Sequence, residues 1–224
     1  LIYKDSSGIH TSTVTSSENM STLPPPDFDG LPLDKYFVPD KILSYLSTRG
    51  CYWGKCAFCD HGEGYTAGYR SKSIDHIIEE ISYLKDRYHV THFHFPDESY
   101  PPALFKKLTK RLIESDLQIS WSTHLRFEES LLNNKVWKDA EMSGCKFLHM
   151  GFETGSERVL RLMGKATTTK QIQQSLEFSS THGVWNHVMG FFGFPGETYE
   201  DAKSSMLFLE SKPQIVFERR QDIV

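Results

Sequence analysis

The chain has 224 residues, 38% of them hydrophobic and 13% aromatic, with a formal net charge of −4. That length suffices for one domain with a sizeable core, and the mild acidity, with a pI near 6.2, argues against nucleic-acid binding, which leaves a basic stripe. No apolar run approaches the roughly 20 residues that cross a bilayer, and Leu1 to His10 lack the basic start and apolar centre of a signal peptide, so a cytoplasmic protein with no membrane partner is expected.

The opening section, Asp5 to Gly30, is rich in Ser, Thr and Pro and ends in Pro24-Pro25-Pro26-Asp27. Such a stretch buries little, so residues 1–40 are expected to run as an extended linker or surface strap that follows a missing N-terminal domain. From Lys41 onward, short apolar strands alternate with helical patterns. Ile42 to Leu46 reads as the first strand. Ser73 can cap a helix whose Ile74, Ile77, Ile78, Ile81 and Leu84 share one face. Val90 to Phe95 is the second strand, and Pro101 to Ser115 the second helix, with a proline in its first turn.

Ile119 to Leu125 is the third strand, Glu129 to Ser143 the third helix, and Cys145 to Phe152 the fourth strand. A short helix from Ser156 and a longer one from Thr169 to His182, closed by Gly183, lead to the fifth strand, Trp185 to Phe192. Thr198 and Asp201 have capping-box spacing ahead of a last helix, and Ile215 to Phe217 is a sixth strand. Six such units imply an α/β fold with a parallel sheet. Residues 41–224 fall short of the roughly 250 of a closed eight-stranded barrel, so an open, parallel-stranded partial (β/α)6 barrel is expected. A doubly wound open sheet is the structural alternative.

The densest chemistry follows the first strand, in Thr48-Arg49-Gly50-Cys51-Tyr52-Trp53-Gly54-Lys55-Cys56-Ala57-Phe58-Cys59-Asp60-His61. Three of the chain's 4 cysteines lie in this loop. Thiolates anchor iron–sulfur clusters, and Gly50 and Gly54 let the loop curl until the sulfurs converge. Three ligands on a four-iron cluster leave one iron open. A structural zinc would want a fourth ligand, Cys145 or a histidine such as His61, while an odd trio cannot pair internally as disulfides.

At these residues the chain resembles the radical S-adenosylmethionine (SAM) enzymes, whose signature is three closely spaced cysteines with an aromatic residue before the last; Phe58 fills that place. Cys51 and Cys56 are separated by four residues where three is usual, and the wider context resembles the branch joined to cobalamin-binding domains. The resemblance implies that Cys51, Cys56 and Cys59 hold a [4Fe-4S] cluster whose open iron chelates SAM. It also implies reductive cleavage of SAM to a 5′-deoxyadenosyl radical that abstracts hydrogen from a small-molecule or peptide substrate, with electrons from a reductant such as flavodoxin or ferredoxin. Cobalamin would sit on a domain absent here, since no cobalamin-binding motif is visible in these residues. The competing class is a non-enzymatic zinc or iron–sulfur binding module.

In parallel α/β folds ligands bind beyond the carboxyl ends of the strands. Strand two ends Phe95-Pro96-Asp97-Glu98, where the family often carries an acid for the SAM amino group, and Glu98 is favoured over Asp97. Arg126, after strand three, is expected to hold the cofactor carboxylate. Gly151-Phe152-Glu153-Thr154-Gly155-Ser156 resembles the family's strand-four segment, in which Glu153 would bind the ribose diol and Gly151 permit close approach. Gly190 to Thr198 matches the strand-five turn, with Gly190 and its neighbours expected against adenine. Among the 10 histidines, alternation puts His92 and His94 on one strand face and His149 on a face shared with Gly151 and Glu153. They read as hydrogen-bonded core or cavity residues, with His149 lining a substrate cavity. Cys145 reads as a buried structural thiol at the far end of the barrel.

Overall fold

In the computed structural model, residues 2–11, 18–61 and 68–212 are described, together with the backbone of 215–219. The chain opens on a small antiparallel hairpin, β1 (Ile2–Asp5) and β2 (Gly8–Thr11), that the sequence reading did not anticipate. The following strap is tied down at a few points. Met20 is buried, and Phe28 packs edge-on against Tyr88 while its N–H donates to the Tyr88 hydroxyl at 2.9 Å.

The main sheet has six strands: β3 (Ile42–Ser44), β6 (His92–Tyr100), β7 (Ser120–Leu125), β8 (Cys145–Glu153), β9 (Trp185–Gly190) and β10 (Ile215–Arg219). A separate two-residue pair, β4 (Thr48–Arg49) and β5 (Arg70–Ser71), brackets the cysteine loop. All pairings in the main sheet are parallel, and the spatial order follows the sequence order from β3 at one edge to β10 at the other. A doubly wound sheet would reverse its strand order part-way. This one never does, and its two edge strands do not pair, so it is an open partial barrel.

Between the strands run α1 (Ile74–Tyr88), α2 (Pro102–Ser115), α3 (Asn134–Met142), α4 (Glu157–Leu162), α5 (Thr169–Thr181) and α6 (Tyr199–Glu210). Their starts are chemically specified. The Ser73 hydroxyl accepts the His76 N–H, and Thr168 with Gln171 and Thr198 with Asp201 form complete capping boxes. The third helix is shorter than its periodicity predicts. Residues 129–131 form a 3-10 turn, and Asn133 then caps α3 by accepting the Lys135 N–H.

Register sorts the strand residues onto two faces. One carries Leu43, Phe93, Phe95, Trp121, Leu148, Met150 and Val188, all buried in a single core with Ile77, Ile81, Phe105, Leu108, Trp137 and Leu176 from the helices. The other carries His94, Ser122, His124, His149 and His187. Phe147 and Met189 share this second face, so the helices cover an apolar face and the concave face is mixed, with the histidines gathered on it.

The second strand also runs past its predicted end at Phe95, because Tyr100 pairs with Leu125 after Phe95 has paired with Thr123. Five steps along β6 meet two along β7, so the residues between bulge away from the ladder. Asp97 and Glu98 lie in that bulge.

Backbone crowding gives a direct test. Gly144, at φ +84°, turns α3 into β8, and a Cβ there would lie 1.9 Å from the Ile119 carbonyl oxygen. Gly183, at φ +67°, has nothing within 4 Å. In urea denaturation, Gly183→Ala is expected to cost about 1 kcal/mol, the ordinary left-handed penalty, and Gly144→Ala more than about 3 kcal/mol.

Candidate functional site

The cysteine loop leaves β3 through Ser47 and Thr48, and its departure is set by one carboxyl. Asp97 Oδ1 accepts the Ser47 N–H at 3.1 Å, the Ser47 hydroxyl at 3.0 Å and the Thr48 N–H. Gly50 (φ +79°) and Gly54 (φ +58°) then reverse the chain. On its far side the loop docks on the turn after α4. Trp53 Nε1 donates to the Gly164 carbonyl at 3.0 Å, and the Ala57 N–H donates to Met163 at 2.9 Å. A Cβ at Gly164 would lie 2.6 Å from the Lys55 carbonyl oxygen, so glycine is what lets the two segments meet.

The loop therefore delivers Cys51, Cys56 and Cys59 to the mouth of one cavity, all three as free thiols. Phe58, Glu98, Arg126, Gly151, Glu153 and Lys165 line the same cavity. Arg126 is 5% exposed and stacks on Trp53, its guanidinium carbon 4.3 Å from the ring centroid. Its Nε binds Glu128 at 3.1 Å, its Nη2 binds the Lys165 carbonyl at 2.6 Å, and its Nη1 lies 3.7 Å from Cys56 Sγ. Glu153, in the left-handed region at φ +62°, receives Lys165 Nζ on Oε1 at 2.6 Å. A Cβ on Gly151 would lie 2.6 Å from that Oε1 and 2.7 Å from that Nζ, so a larger residue there would displace the ends of the paired side chains.

The donor set suits a cluster better than a single ion. A structural zinc is closed by four protein ligands, and the loop supplies three cysteines, the number that leaves one iron of a four-iron cluster open. Cys145 is buried at the start of β8, packed in the helix-covered core, and cannot supply a fourth ligand. Burial pushes the Cys59 thiol up, and the neighbouring Cys56 and Cys51 add to it. That cost is relieved when thiolates bind a cationic centre.

The model of the radical SAM superfamily matches residues 45–209, which include every one of these segments. The chain belongs to the radical SAM superfamily. An uncharacterized methyltransferase of Pyrococcus horikoshii is 31% identical over 200 residues, covering 85% of this chain and 42% of that protein. The bacteriochlorophyllide d C-12(1)-methyltransferase of Chlorobaculum tepidum is 26% identical over the same shares of the two chains. The radical SAM chain thus spans about two fifths of the length of these relatives. Among solved structures, the cobalamin-dependent SAM radical enzyme OxsB, with aqua-cobalamin and SAM bound, has the same fold at TM-score 0.76 and 20% identity, over 99% of this chain and 34% of that one. The radical SAM methyltransferase TsrM of Kitasatospora setae follows at TM-score 0.70 and 15% identity, over 80% and 35%.

Within this radical SAM domain, the expected site residues do not all meet. Phe58, Glu98, Arg126, Gly151 and Glu153 share the cavity with the three cysteines, but Gly190 is not among the lining residues. It packs on the backbone of Glu153, where a Cβ would lie 2.9 Å from the carbonyl oxygen. Asp97 and Glu98 are separated by the bulge, Glu98 in the cavity and Asp97 wholly buried beneath the loop. Lys165 escaped the sequence reading. It sits in Met163-Gly164-Lys165, which has no periodic or motif signal, and only the docking of the cysteine loop on that turn makes it a site residue.

Asp97 carries a pH signature. Burial, the dominant effect, raises its carboxyl to about 7 despite hydrogen bonds from Thr48 and Ser47 that lower it. A folded pKa above the unfolded value of 3.8 means that stability present below pH 3.8 is lost as pH rises through about 7. Urea denaturation across that range is expected to show stability falling with pH in the wild type and a flatter profile in Asp97→Asn. Parallel profiles would show that Asp97 does not titrate there.

Proposed function

We propose that this domain holds a [4Fe-4S] cluster on Cys51, Cys56 and Cys59 and presents SAM to it from the surrounding cavity. The carrying observation is that three thiols with no fourth cysteine within reach share one cavity with two carboxylates and two cations. When bound, the cluster and SAM supply one-electron cleavage of the sulfonium bond, giving a 5′-deoxyadenosyl radical that takes a hydrogen atom from substrate.

The chain's own residues bind, orient and neutralise. Glu98, on its bulge, accepts the SAM ammonium through charge-assisted hydrogen bonds. Glu153 keeps its second carboxylate oxygen for the ribose diol while Lys165 holds the first. Phe58, edge-on to Phe191 at 5.1 Å between ring centroids, offers an apolar wall to adenine. Arg126 was expected to take the SAM carboxylate, but its nitrogens are already turned to Glu128, Lys165 and Cys56. We assign it to anchoring the loop and offsetting thiolate charge, and assign the carboxylate to Lys165. The apolar shelf of Phe58, Val159, Met163, Phe191 and Phe194 keeps water from the cofactor side.

The methyltransferase relatives support methyl transfer to a small molecule or peptide, with cobalamin carried outside residues 1–224 and electrons from a flavodoxin or ferredoxin. Full-length protein that binds no corrinoid and transfers no methyl group would rule this subclass out.

Anaerobic reconstitution is expected to yield about four irons and four sulfides per chain, with an electron paramagnetic resonance spectrum that changes on adding SAM. Cys56→Ala is expected to lose the cluster. Glu98→Gln is expected to keep its iron while weakening SAM binding about tenfold, the cost of one charge-assisted hydrogen bond. A reduced cluster whose spectrum ignores SAM would overturn the assignment.

A further inference from the structure

We infer that His94, His124 and His149 form a three-imidazole site for a borderline divalent cation of the zinc class, set in the concave face of the sheet. Three adjacent strands supply one residue each. His124 on β7 stands directly opposite His149 on β8, and His94 on β6 is paired with Ser122, two residues before His124. Each nitrogen offered by the trio lies within 4.8 Å of the others. The ring centroids are 4.6 Å apart for His124 and His149, 5.4 Å for His94 and His149, and 5.6 Å for His94 and His124.

Alternation along the strands makes these histidines cavity residues, and their number gives no reason to expect ligation. Register is what brings them to ligand distance. A tetrahedral centre with bonds of 2.0–2.1 Å needs nitrogens about 3.4 Å apart, a gap that small rotations about the soft imidazole χ2 can close.

Two of the rings already have the outer hydrogen bond that fixes a metal-binding imidazole. His94 Nδ1 lies 2.8 Å from Ser122 Oγ, and His149 Nδ1 lies 3.0 Å from His187 Nδ1. With Nδ1 engaged in this way, Nε2 is the nitrogen that would ligate the ion. A donor set of three imidazoles selects zinc-like ions over magnesium or calcium, which take oxygen. Three protein ligands leave the fourth position open, as in catalytic rather than structural zinc sites. His124 and His149 line the cavity shared with the cysteines, so the open position faces it. There the ion would take an oxygen or nitrogen atom of the substrate and fix its orientation.

The site does not depend on the cluster assignment, and the test keeps the two apart. Full-length protein with its cluster loaded is given zinc sulfate, passed over a weak chelating resin, and assayed for zinc and iron by mass spectrometry and for zinc ligation by X-ray absorption. The expected result is one zinc per chain with a nitrogen and oxygen shell at 2.0–2.1 Å and imidazole scattering, close to the general bond lengths. His124→Ala and His149→Ala are expected to lose the zinc at unchanged iron content, and His187→Ala to weaken it about 10- to 100-fold. Zinc washed away from the wild type would overturn the inference. So would a sulfur shell near 2.3 Å, or zinc retained by both ligand variants.

Discussion

A right-handed crossover between parallel strands puts its helix on one particular side of the sheet. When strand order never reverses, every helix lands on that side, and here the order runs from β3 to β10 without reversal. The fully buried apolar residues of the strands therefore face the helices, while Phe147 and Met189 lie with the histidines on the opposite face, which no helix among the described residues covers. That imbalance shapes everything else. The concave face can carry His, Ser and Glu at modest cost because it stays partly open, and the loop after the first strand can fold across its rim.

The cavity at that rim concentrates groups that are costly to bury alone. Lys165 and Arg126 are each only 5% exposed. Each has a carboxylate partner, Glu153 for Lys165 and Glu128 for Arg126, so neither charge is buried unpaired. The backbone bends to make this possible. Glu153 is a non-glycine residue held at φ +62°, a strained conformation that persists only where neighbours impose it. Gly151, without a side chain, leaves space for the Glu153–Lys165 pair, and Gly190 lets β9 approach the strained carbonyl. Strain, small residues and buried charge coincide at the same strand ends, which is where parallel α/β folds place their chemistry.

Much of this was legible from residue pattern. The apolar periods of Ile74 to Leu84 and the cap residues Ser73 and Thr198 are local signals, and the elements appear where they point. So does the cysteine trio, because the clustering of thiols is itself a sequence fact. Errors fell where a distant segment overrode local pattern. Asn133 restarts the third helix by capping, against the continuous periodicity from Glu129. Tyr100 extends β6 by pairing with Leu125. Asp97, one position from a cavity residue, turns away because the Ser47 and Thr48 backbone needs an acceptor. Gly190 belongs to a glycine-rich segment, yet it serves the backbone of Glu153.

The sequence by itself determined the α/β class, the six strands of the main sheet, the clustering of three cysteines in one loop and the acids at the strand ends, because these rest on residue type and on spacing over a few turns. Only the tertiary structure decided which of those acids share a cavity, that Lys165 joins them, that Arg126 holds the loop, and that three histidines from three strands converge. Those outcomes depend on strand register and on the docking of one loop against a turn more than a hundred residues away. Register is set by how whole faces pack, and no single segment carries it.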